Sequence, residues 1–91
     1  MNNVADLIHE IEKAQAKSKA MSSKTEKKYL YGRLFDSLDK LKQSLHVDDV
    51  EQSQLMSDQI GQMAIHYIEK ENVEYANELC DITALVRKLK K

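Results

Sequence analysis

Four stretches of this chain set large apolar side chains three and four residues apart, and no proline interrupts any of them. That stepping lays the side chains along one face of an α-helix. The chain has 91 residues and only two glycines, Gly32 and Gly61. Folds rich in strands need many turns, and turns draw on Gly and Pro. The expected fold class is therefore all-α: an antiparallel, up-down four-helix bundle, with short loops between sequential helices. A chain of this length makes one domain, residues 1–91.

The expected helices cover about residues 3–21, 24–46, 49–70 and 73–89. Asn3 can cap the first, with Asp6 in its opening turn. Its stripe is Val4, Leu7, Ile8, Ile11, Ala14 and Met21. Ser18 stands where a large apolar residue belongs, so the second half of this helix should be loose. Ser23 and Glu26 form a capping box for the second helix. Leu30 or Tyr31, then Leu34, Leu38, Leu41 and Leu45 make its stripe. Phe35 widens it, and Gly32 falls toward the edge. Asp48 and Glu51 repeat the capping arrangement for the third helix.

On that third helix Met56, Ile60, Met63 and Tyr67 share one face, beside a narrow strip of Ser53, Ser57, Gly61 and Ala64. Glycine inside a helix costs about 1 kcal/mol relative to alanine. A close crossing with a neighbouring helix over Gly61 would offset that. Asn72 suits either a left-handed C-terminal position or the cap of the fourth helix. The fourth stripe is Tyr75, Leu79, Ile82, Val86 and Leu89. Tyr67 and Tyr75 flank the turn between helices three and four and should pack on each other. Tyr29 and Tyr31 stand two apart, so one of them should be exposed, a hint of a contact surface.

The side chains show little chemistry. His9, His46 and His66 fall on different elements, and none lies three or four residues from another His or from Cys80. Zinc sites usually show such a local pair, so no metal is expected. Cys80 falls mid-helix, which suits a half-buried small side chain better than an activated thiolate. The paired acids Asp48/Asp49 and Glu69/Glu71 sit in solvated places, and no Gly-rich loop is present to hold a phosphate. The reading is a protein that is not an enzyme and takes no cofactor.

Charge is unevenly spread. Residues 1–46 carry +3, residues 47–82 carry −8 and residues 83–91 carry +4. A nucleic-acid binder would be basic along a whole face, so nucleic acid is disfavoured as a partner. The longest uncharged apolar stretch, Gln59 to Ile68, is ten residues, about half of a membrane span. The N-terminus lacks a basic start and does not read as a signal peptide, and a single cysteine suits a reducing, cytoplasmic location. The basic end, Arg87, Lys88, Lys90 and Lys91, is a solvated helix terminus or a small electrostatic foot for an acidic partner or a membrane surface, giving at most peripheral membrane contact.

Residues 38–88, from LDKLKQSLHVDD through ELCDITALVRK, resemble the corresponding half of immunity proteins for pediocin-like (class IIa) bacteriocins, of the enterocin A immunity type. The shared pattern is a Leu/Lys-rich helix end and a long helix striped with Ile, Met and Leu. A short turn follows with Lys70, Val73 and Tyr75, then an amphipathic helix with Leu79, Ile82 and Leu85. The chain departs from such proteins in lacking proline. The resemblance implies a cytosolic, non-catalytic four-helix bundle that protects a bacteriocin producer. It would bind, at the inner face of the membrane, the mannose phosphotransferase permease with bound bacteriocin. The contact residues would then be Lys70, Asn72 and Tyr75 at the turn and Arg87, Lys88, Lys90 and Lys91 at the basic end. A second reading is a small helical adaptor or chaperone, as a monomer or homodimer, that holds a partner helix in a groove left open by Ser18.

Overall fold

The apolar stripes become four helices around a shared core. A computed structural model describes residues 4–24 and 26–89. It comprises α1 (Val4–Ser22), α2 (Lys28–His46), α3 (Val50–Met63, continued by a wide π turn at Ala64–Ile68) and α4 (Val73–Arg87). The expected cap at Asn3 lies outside the described residues. Sequential helices run antiparallel, α1 also packs on α4, and the result is an up-down four-helix bundle.

The core follows the stripes of α1, α2 and α4 closely. Leu7, Ile11 and Ala14 of α1 are buried with Leu34, Leu38, Leu41 and Leu45 of α2 and Tyr75, Leu79, Ile82 and Val86 of α4. Leu30 and Tyr31 are both buried, Tyr29 is exposed, and Gly32 faces open space.

Three expectations are corrected. Ser23 and Glu26 do not cap α2. The helix starts at Lys28 with no side-chain cap, and the Ser23 hydroxyl instead donates to the carbonyl of Ala20 at the end of α1. The cap of α3 is Asp49 rather than Asp48: its carboxylate accepts from the Gln52 N–H at 3.0 Å. Asp48 carries the reversal of the chain between α2 and α3, with φ 56°, a left-handed conformation that Asp tolerates better than most residues.

The third correction concerns the end of α3. Met56 and Ile60 are buried, but Met63 is only half-buried and Tyr67 is exposed. The Glu69 N–H reaches the Ala64 carbonyl at 2.8 Å, five residues back. This wide turn holds one more residue than an α-turn. The inward position therefore passes from Tyr67 to Ile68, which is fully buried. The small strip is the buried face: Ser53, Ser57, Gly61 and Ala64 all point inward. Ser53 and Ser44 share a hydrogen bond of 2.8 Å where α2 crosses α3. Gly61 faces α4, where an added Cβ would sit 3.5 Å from Thr83 Cγ2.

Candidate functional site

One end of the bundle brings together the start of α2, the π turn and the start of α4. Tyr75 is its anchor. Asn72 is extended and caps α4, accepting from the Tyr75 N–H at 3.0 Å, which fixes the first turn. The Tyr75 side chain then runs into the core with no exposed surface. Its hydroxyl donates to the Ala14 carbonyl at 2.7 Å and takes a hydrogen bond from Ser18 Oγ. Its ring stacks on Tyr31, with centroids 6.5 Å apart and planes 22° from parallel. Lys17 Nζ lies 5.7 Å from the ring centroid and pairs with Glu78 at 2.8 Å.

Tyr31 extends this anchor outward. Its hydroxyl donates to Glu71 Oε2 at 3.2 Å, and Glu71 also faces Lys27 at 3.7 Å. The turn between α3 and α4 is thus tied to both α1 and α2. Burial raises the Tyr75 hydroxyl to about 12, with Glu78 and Tyr31 adding to the rise and Ser18 opposing it. Burial, and then the Glu71 carboxylate, also raise Tyr31. Both hydroxyls stay neutral at physiological pH and serve as hydrogen-bond donors.

Apolar side chains stand in solvent on this braced floor. Ile65 and Tyr67 on the π turn are each 56% exposed, Val73 at the start of α4 is 58% exposed, and Tyr29 is 73% exposed. His66 meets the Tyr67 ring edge-on, with centroids 6.3 Å apart. Lys70 is exposed in the turn that follows. Side chains this apolar on one end of a small bundle suit a contact with another molecule.

The contact residues expected from the sequence are split by the fold. Lys70 and Asn72 belong to this end, Asn72 half-buried in its capping role. Tyr75 stacks on Tyr31 and not on Tyr67. Being buried, it supports the surface from beneath and cannot touch a partner. Arg87 and Lys88 lie at the other end of α4, about 20 Å away at 1.5 Å per residue. There Arg87 approaches Asp58 at 3.5 Å. Lys90 and Lys91 lie outside the described residues.

No family model matches this chain, and no curated protein or solved structure does either.

Sequence reasoning missed Ile65 and Val73. Both are apolar residues standing off the main stripe of their helix, and that displacement was the available signal. Among the described residues no group of His, Cys, Asp and Glu side chains comes together to hold a metal ion. No helix among them is long and apolar enough to cross a membrane.

Proposed function

We propose that this chain is a non-enzymatic bacteriocin immunity protein that works in the cytoplasm by contact. It binds the sugar permease, of the mannose phosphotransferase type, once a pediocin-like bacteriocin has engaged it. One observation carries the reading. The turn Glu69–Tyr75, to which the sequence resemblance assigns partner contact, follows the exposed Ile65 and Tyr67 and contains the exposed Val73. The anchor of Tyr75 and Tyr31 beneath them keeps that surface preorganised, which lowers the ordering cost of binding. Expression of the chain in a pediocin-sensitive strain tests it. Survival on at least one pediocin-like bacteriocin is expected, and unchanged killing across a panel of them refutes the reading.

The adaptor reading draws on a different feature. Ser18 lines a hollow of about 310 Å³ between α1 and α2, with Tyr31, Gly32 and Phe35, and hollows of about 250 and 320 Å³ lie along the seam of α1 and α4, with Leu85 at 40% exposure between them. Light scattering separates the two readings: a stable dimer favours the adaptor, a monomer the immunity protein.

A further inference from the structure

The start of α2 is held in an unusual way. Lys27 occupies its N-cap position and makes no side-chain cap. A helix start without a cap leaves its first N–H groups unsatisfied and frays more readily than a capped one. Yet Tyr31, in the first turn of this helix, is almost fully buried.

Glu71 supplies what the cap does not. Its backbone is fixed at the corner between α3 and α4. The Glu71 N–H donates to the carbonyl of the buried Ile68 at 2.9 Å, and the Asn72 N–H donates to the same carbonyl at 2.8 Å. From that corner the side chain, 28% exposed, reaches the start of α2 with both carboxylate oxygens. Oε2 accepts from the Tyr31 hydroxyl at 3.2 Å, and Oε1 faces Lys27 Nζ at 3.7 Å. Hydrogen bonds to an ionised group are the strong ones. The Tyr31 ring stacks in turn on Tyr75 in the first turn of α4. The start of α2, the α3–α4 corner and the start of α4 therefore close a ring of contacts of their own, outside the leucine seam.

We propose that Glu71 is the positioning residue of the contact surface: it latches the start of α2 to the α3–α4 turn, so that the two loosen and close as one unit and keep Tyr29 and Val73 in fixed relation. In that use it rests on the contact surface assigned above, whereas the latch itself needs no partner and is tested without one.

Native-state amide exchange of the full chain, followed by NMR, is the test. Glu71→Gln keeps an acceptor for Tyr31 and removes the charge. Tyr31→Phe removes the hydroxyl and keeps the ring on Tyr75. Circular dichroism should be unchanged in both. Each should speed exchange about tenfold at Tyr31 to Leu34 and also at Asn72 to Ala76, the size expected for a hydrogen bond to a charged group, while Leu38 to Leu45 keep their rates. The double variant should match the single ones and not their product, because both remove the same contact. Tyr31 should ionise at lower pH in Glu71→Gln, since the carboxylate adds to the rise of its hydroxyl. Glu69→Gln takes an equal charge from the same turn and should alter neither segment. Faster exchange in one segment alone, equal acceleration across the bundle, or an equal effect of Glu69→Gln would each overturn the proposal. Killing assays in the sensitive strain bear on the contact reading alone, so failure of either is read separately.

Discussion

Ser18 breaks the apolar stripe of α1 because Tyr75 needs the space. A large side chain there would collide with the phenol, and its loss of the hydroxyl would remove a donor from a buried oxygen. The position therefore marks a buried polar contact, and α1 runs on in helical form to Ser22. The raised Tyr75 hydroxyl makes stability depend on pH at the alkaline end. An unfolded tyrosine ionises near 10, whereas the folded Tyr75 holds its proton to about 12. The contribution is complete below pH 10 and is lost as pH rises from 10 to about 12, at up to about 1.4 kcal/mol per pH unit. Chemical denaturation measured at pH 9, 10 and 11 should show that loss. In Tyr75→Phe it should be smaller, with about 1–3 kcal/mol less stability at neutral pH because the Ser18 hydroxyl and the Ala14 carbonyl lose their partner. Equal alkaline loss in the variant would count against it. Gly61 yields to the same kind of reasoning. A Cβ there meets Thr83 at an ordinary contact distance, 3.5 Å. Gly61→Ala should raise stability by about 0.5–1 kcal/mol through helix propensity, while Gly61→Leu should cost about 1–3 kcal/mol by overpacking. Thermal melts of the two variants give the signs directly.

Helix ends and the π turn show where the sequence stops being legible. The stripes of α2 and α4 could be read because the large buried side chains run Tyr31, Leu34, Leu38, Leu41, Leu45 and Tyr75, Leu79, Ile82, Val86, in steps of three and four. The same counting fails at Tyr67. Nothing local in Ala64–Ile68 announces a five-residue turn, and it rotates the remainder of α3 so that Ile68 takes the core position. The caps fail differently. Ser23 and Glu26 have the right spacing, but tertiary packing starts α2 later, at Lys28. Asp48 and Asp49 are neighbours with equal capping chemistry, and the left-handed reversal at Asp48 decides between them. Asp49→Ala should thus cost about 1 kcal/mol, as expected for loss of a cap. Ser23→Ala should cost less than about 0.5 kcal/mol, because the hydroxyl only returns to its own helix. Urea midpoints compared at equal slope would measure both. A Ser23 loss as large as that of Asp49 would restore the capping box. The candidate surface was half legible for related reasons. Lys70 and Asn72 could be found from the turn, Ile65 stands off the stripe, and Tyr75 falls on the stripe of α4, whereas the exposure of Tyr67 depended on the π turn.

The molecule is long and thin, 39 Å by 20 Å by 19 Å, so its two ends are separate surfaces. The end with Ile65, Tyr67 and Val73 exposes apolar side chains and is braced by the Tyr75–Tyr31 anchor. The other end sets Asp48, Asp49, Glu51 and Asp58 near Arg87 and Lys88 of α4, around a hollow with apolar walls. α4 runs between them, from the turn that carries Lys70 to its last residue, Arg87, and the family resemblance places both in one contact set. Distance now separates them. Sites that share no partners and lie more than about 10 Å apart act additively on stability, and the same independence should hold for binding. On the proposed immunity reading, Ile65→Ser with Tyr67→Ser should abolish protection in a pediocin-sensitive strain while leaving the melting curve unchanged. Protection retained by the folded double variant would show that the partner is not held at this end.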